Sequence, residues 1–185
     1  MEFQKATLGE LSVGGKGSYG IAASAVPYSE NLYTYLRITD INDDGTLNKS
    51  SLTSVNDERA AQYLLKPNDI VFARTGGSTG RNYFFDGRDG EFVYAGFLIK
   101  FSIDKTKVNP RYIKYYCLSQ EYKNWVHSFN TGSTRGNINA QTYANMILLL
   151  PPREQQDLLV NILSSIDDKI ALNTTINENL WWYAA

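Results

Sequence analysis

The last thirty-odd residues constrain the fold more than any other stretch. Pro151-Pro152-Arg153-Glu154-Gln155-Gln156 places proline in a first turn followed by acidic and amide residues, which is a helix start. Beyond it the apolar residues Leu159, Ile162, Leu163, Ile166, Ile170, Ile176 and Leu180 recur at helical spacing and mark a narrow seam on one face. Extending the seam by sevens brings Asn173 and Asn177 onto or beside it, and an asparagine in such a seam fixes register and partner number at a cost in stability. No glycine or proline interrupts residues 153–183, so the helix can run for about 45 Å at 1.5 Å per residue. Alone it would leave its seam in water. The pattern predicts a partner helix.

The 185 residues suffice for one domain with a core, residues 1–150, plus this appended helix, residues 151–185. A net charge of −1 excludes a uniformly basic nucleic-acid binder, so any such contact must be local. One cysteine and one histidine supply neither a disulfide framework nor a metal cluster. Cys117 and His127 could in principle pair as nucleophile and base, but the placement of Cys117 in an apolar stripe favours a buried structural thiol. The chain starts without a signal-peptide apolar stretch, and no run nears the ~18 apolar residues of a membrane span. A cytoplasmic protein is the expectation.

Along the domain, residues 5–13 read as a strand that enters Gly15-Lys16-Gly17-Ser18-Tyr19-Gly20, a literal G-x-G-x-x-G. A dinucleotide site needs that motif to open a crossover helix, and only about one turn fits before Pro27. A glycine turn, a nucleotide cradle and a DNA-facing loop are the three readings. Residues 33–40 alternate as a half-buried strand, Leu36 and Ile38 opposite Tyr35, Arg37 and Thr39, and Asn42-Asp43-Asp44-Gly45 is a turn. Asn56 is placed to cap a helix over residues 57–65. Asp69-Ile-Val-Phe-Ala-Arg74 is a buried strand delivering Thr75-Gly-Gly-Ser78-Thr79-Gly-Arg81-Asn82. Residues 83–86 and 92–103 are strands around a Gly87–Gly90 turn, and a helix from Pro110 to about Phe129 buries Ile113, Tyr116, Cys117, Tyr122, Trp125 and Val126.

Chemistry concentrates in two polar loops. Around Ser78 and Thr79, three glycines let backbone approach a ligand, and Arg74 and Arg81 flank them. No Gly-Lys-Ser/Thr closes that loop, so it is not a Walker loop. Asn130-Thr-Gly-Ser133-Thr-Arg135-Gly-Asn137-Ile-Asn139 echoes it. Arginine suits guanine, and Asn137, Asn139 or Gln141 suits adenine, if they reach the major groove. The plainer readings are a solvated hairpin and a turn seating a helix over residues 139–145. No Asn/Asp-Pro-Pro-Tyr/Phe motif and no carboxylate cluster with a lysine is present, so the residues form no catalytic constellation.

Pro-Pro-x-Glu-Gln-Gln at 151–156, Ile-Asp-Asp-Lys-Ile at 166–170 and Leu-Asn-x-x-Ile-Asn-Glu-Asn-Leu at 172–180 together resemble the helical region of type I restriction–modification specificity subunits. The stretch at 68–80 is similar to that family's gly-asp-ile-leu-phe-x-arg-x-gly-ser-x-gly, with Asn68 in place of its first glycine. Trp181-Trp182-Tyr183 departs from the small and charged residues expected there. The resemblance implies an α/β (α+β) target-recognition domain, with a curved mixed or antiparallel sheet and flanking helices, followed by one long coiled-coil-type helix. It implies double-stranded DNA as ligand, with Lys16, Tyr19, Arg37, Arg74, Ser78, Thr79, Arg81, Asn82, Ser133, Arg135, Asn137 and Asn139 as contacts. It also implies a non-catalytic half-subunit dimerising through Leu159, Ile162, Leu163, Ile166, Ile170, Asn173, Ile176 and Leu180. Chemistry would fall to methyltransferase and restriction subunits with their own S-adenosylmethionine, ATP and Mg²⁺. The alternatives are a nucleotide-binding regulatory domain using the Gly15–Gly20 loop and a protein-interaction module with a tyrosine-rich face.

Overall fold

The computed structural model describes residues 3–129 and 136–184, with side chains described as far as residue 177 on the last helix. Its centre is an antiparallel sheet in the order β2 (Ser18–Tyr19), β9 (Leu98–Ser102), β6 (Asp69–Ala73), β7 (Asn82–Phe85). A second, mixed sheet runs β3 (Ala25–Val26), β5 (Thr53–Val55), β4 (Tyr33–Leu36), β8 (Phe92–Tyr94), with β4 and β8 parallel. β1 (Gln4–Thr7) and β10 (Ile147–Leu150) form a separate antiparallel pair.

Every residue of β6 is buried, because both faces of the central sheet are covered. Ile70 and Phe72 point into a core with α1 (Pro110–Tyr116), α2 (Gln120–His127) and α3 (Ala140–Ala144). Val71 and Ala73 point the other way, onto Leu36, Phe92 and Tyr94 of the mixed sheet. Helices, central sheet and mixed sheet thus stack as layers, the arrangement a continuous rather than alternating apolar strand demands. Among the described residues, no helix is long and apolar enough to cross a membrane.

Several elements differ from the sequence expectation. The apolar run 92–103 is two strands in different sheets, reversed at Ala95-Gly96-Phe97, where Leu98 N–H donates to Ala95 O at 2.8 Å. β8 is buried at every residue and β9 opens with Leu98 and Ile99 both buried, so no alternation marks the break. In place of a helix over 57–65 there is a short 3₁₀ turn, Ala60–Tyr63, since Leu65 N–H is drawn to Phe92 O at 2.9 Å and Leu64 bridges Val93. The first strand ends at Thr7, where Glu10 accepts from the Thr7 N–H and hydroxyl. The predicted helix over 110–129 breaks where Ser119 accepts from Tyr122 N–H and starts α2. Tyr112 and Tyr116, one turn apart on α1, donate to Leu149 O at 2.9 Å and Ile147 O at 3.3 Å.

The strand expected over 33–40 stops at Leu36, and Ile38–Asp40 turn as a 3₁₀ segment. Asp40, fully buried, accepts from Arg37 N–H at 2.8 Å, Nε at 3.0 Å and Nη2 at 2.7 Å.

α4 (Arg153–Ala184) spans 32 residues, about 48 Å. Its first turns are bolted to the domain. Gln156 is buried and accepts from Asn109 N–H, and Asp157 accepts from Asn109 Nδ2. Val160 is buried, and Asp167 accepts from Lys114 Nζ at 2.6 Å and Tyr115 OH at 2.9 Å. The seam lies elsewhere: Leu159, Ile162, Ile166, Ile170 and Ile176 are 40%, 55%, 49%, 59% and 45% exposed. At 100° per residue the two faces are roughly a third of a turn apart. Leu163, assigned to the seam from sequence, is half-buried between them; Asn173 is exposed, and the Leu180 side chain lies outside the described residues.

Arg37→Ala would strand a buried carboxylate and should destabilise the fold by about 3 kcal/mol. The check is a lower urea midpoint at unchanged slope; a shift under about 0.5 kcal/mol would contradict this reading of the pair.

Candidate nucleic-acid interface

β6 ends in a polar loop that an aromatic platform supports from below. Phe72 stacks on Tyr143 at 4.6 Å between centroids, and Trp125 lies 5.6 Å from Tyr143 and 6.1 Å from Tyr122. The two buried phenols donate upward, Tyr143 OH to Ala73 O at 3.1 Å and Tyr122 OH to Gly80 O at 2.6 Å. Burial pushes both hydroxyls above their ordinary range, so they remain neutral donors. Gly80 has φ +90°, and a Cβ there would strike Val126 of α2. Loop 75–81 is therefore fixed at both ends by the core.

Three segments meet on this support. Ile138 N–H donates to Arg74 O at 2.9 Å, and Thr75 bridges Asn137. The Thr79 hydroxyl lies 2.8 Å from Gly76 O and 2.9 Å from Gly136 O, tying the two polar loops together. Tyr19 brings in the glycine loop: its OH accepts from Ala140 N–H at 3.2 Å, and the Arg74 guanidinium sits 5.1 Å over its ring. Lys16, Tyr19, Asn137 and Asn139 are exposed, while Arg74, Ser78 and Thr79 are half-buried. Asn139 is the N-cap of α3, accepting from Thr142 N–H at 2.9 Å. Gln141 is exposed and bonds Asn145.

The sequence-predicted set divides on this geometry. Asn82 is a correction: it is 5% exposed in β7 and donates to Cys117 O at 2.9 Å, beneath the loop rather than on it. Arg37 is another, since its guanidinium is committed to buried Asp40 and to Ser51 O. Arg81 bonds Asp43 at 2.7 Å, but that carboxylate is 84% exposed. A surface pair of this kind is worth about 0–1 kcal/mol and yields readily to a stronger anion. Ser133 and Arg135 lie outside the described residues. Sequence reasoning missed Phe97, placed inside a strand but in fact 59% exposed at the β8–β9 reversal, where its carbonyl accepts from Arg74 N–H. Gly96 in the apolar run was the signal.

The glycine loop opens β2 and no crossover helix, so it lacks the geometry the dinucleotide motif requires. Gly20 is explained by packing, since a Cβ would strike the Tyr94 and Ala95 carbonyls. Cys117 is 1% exposed, and burial raises its thiol well above the ordinary range, the reverse of an activated nucleophile. No group of three metal-ligating side chains occurs among the described residues.

Tyr122→Phe should leave Gly80 O buried without its donor and cost about 1–3 kcal/mol. Faster amide exchange confined to residues around Gly80 and Arg81 is the expected local signature; uniform exchange change across the domain would contradict the anchoring role.

The chain is similar to solved specificity subunits. It matches the type I restriction–modification S subunit from M. genitalium at a TM-score of 0.65 and 16% identity, over 92% of this chain and 40% of that one. For the HsdS subunit from Thermoanaerobacter tengcongensis the values are 0.62 and 15%, over 91% and 43%. In sequence it is 26% identical over 154 residues to the type I restriction enzyme HindI specificity subunit of Haemophilus influenzae, covering 79% of this chain. The chain spans about a third of that relative's length. Residues 2–180 match the model of the type I restriction modification DNA specificity domain, and the chain belongs to that family.

Proposed function

We propose that this chain is the sequence-reading element of a type I restriction–modification enzyme, binding a short half-site of double-stranded DNA and carrying no catalytic machinery of its own. The observation that carries this reading is the convergence of residues 16–19, 74–81 and 136–141, cross-tied by Thr79 to Gly136, Ile138 to Arg74 and Tyr19 to Ala140. A polar surface held by three such ties on a rigid platform suits readout, which needs donors fixed in place before the ligand arrives. Glycine-rich backbone and hydroxyls suit phosphate oxygens; arginine and amide side chains suit base edges.

Methyltransferase and restriction subunits, bringing S-adenosylmethionine, ATP and Mg²⁺, would act in the cytoplasm on the site this chain selects. The exposed seam of α4 supports pairing with a second copy, which places two recognition domains about a twofold axis and implies a palindromic, gapped target. The nucleotide-binding alternative has less support, because the Gly15–Gly20 loop runs into a strand.

Selection from a randomised duplex pool, with and without the methyltransferase subunit, should recover a gapped motif, palindromic if the chain dimerises. A pool that stays random in both conditions, with the partner shown to bind, would sink DNA readout. For the seam, Ile166→Asp with Ile170→Asp should convert a dimer to a monomer on gel filtration; wild type already monomeric would reject the pairing.

A further inference from the structure

Six of the seven arginines among the described residues hold a carboxylate at 2.7 to 3.5 Å. Arg74 alone has none. Its Nε is buried without a hydrogen-bond partner, and among the described residues no group accepts from its guanidinium. A half-buried cation without a counter-charge is costly and is found where a ligand supplies what the protein withholds. Its backbone is also fully engaged, N–H to Phe97 O at 3.1 Å and O to Ile138 N–H at 2.9 Å. The guanidinium lies over the Tyr19 ring, and Tyr19 is itself held through its hydroxyl to Ala140.

Building on the DNA-reading function above, we infer that Arg74 is the principal specificity-determining residue of this interface, donating both arms of its fork to O6 and N7 of one guanine, with Tyr19 as the positioning residue. A phosphate contact asks only for a nearby charge and tolerates a mobile side chain. Bidentate recognition of a base edge asks for a guanidinium whose plane is set in advance, and an aromatic face beneath it does that. Arg81, held at the rim by an exposed carboxylate, has the character of a phosphate contact instead.

The test compares the full chain with Arg74→Ala, Arg74→Lys, Tyr19→Leu and Tyr19→Phe in the randomised-duplex selection, under the condition that yields a motif for wild type. Arg74→Ala and Arg74→Lys should both lose guanine at one position, roughly ten- to a hundredfold in discrimination, with the other positions retained. Tyr19→Leu should relax the same position, and Tyr19→Phe, which keeps the ring but loses the hydroxyl tie to Ala140, should relax it less. Should the Arg74 variants fail to fold by circular dichroism, the two Tyr19 variants decide. A uniform loss of affinity across sequences with the salt slope lowered by about one, and with Arg74→Lys near wild type, would make Arg74 a phosphate contact and overturn the inference. A wild-type motif that every variant reproduces would overturn it while leaving DNA readout intact. No motif for wild type would reject both.

Discussion

The structure turns on two buried hydroxyls. Tyr122 and Tyr143 stand within the helix-side core and satisfy the carbonyls of Gly80 and Ala73 at the end of β6. The polar loop above would otherwise meet the core through unpaired carbonyls, each costing about 1–3 kcal/mol when buried. With those bonds made, loop 75–81 is fixed from below by phenols and from the side by Thr79 and Ile138. The apolar interior therefore sets the geometry of the polar surface.

Charge is distributed with the same economy. The chain is nearly neutral at net −1, and most of its described arginines are closed onto carboxylates. Asp40 and Asp69 are buried acids that organise backbone: Asp40 makes the turn after β4, and Asp69 accepts from Lys66 N–H, Ser102 Oγ and Lys100. Asp167 and Asp86 face α1 and help seat α4 or its neighbours. Arg74, at the meeting point of the three loops, is the one described arginine without a carboxylate partner.

Much of this was legible beforehand. The buried strand at 69–73, the turn at 42–45, the helix start at Pro151-Pro152 and the wet seam follow from composition and period. What escaped were features set by tertiary contact. The split of 92–103 was invisible because the strand residues on either side of it, Phe92–Tyr94 and Leu98–Ile99, are all buried, and only Gly96 marks the reversal. The 3₁₀ turn at 60–63 replaced a helix because sheet pairing at Leu64 and Leu65 outweighed local propensity. For Arg37 and Asn82 the residue type fitted DNA, but burial and partners three and thirty-five positions away decided otherwise. The Asp167-Asp168 block resembled its family in order alone; its use as a clasp onto Lys114, Tyr115 and Arg88 depends on tertiary placement that residue order does not carry.

The pair Tyr112 and Tyr116 carries a consequence for solution behaviour. β10 presents Ile147 and Leu149 to solvent at 58% and 37% exposure, and β1 occupies only one of its edges. A short apolar strand with an open edge is a template for another chain. The two phenols occupy the outward carbonyls of Ile147 and Leu149, so an incoming strand finds the acceptors already taken. Protection of a sticky edge is achieved here by side chains of a neighbouring helix, without a charge or a proline in the strand itself.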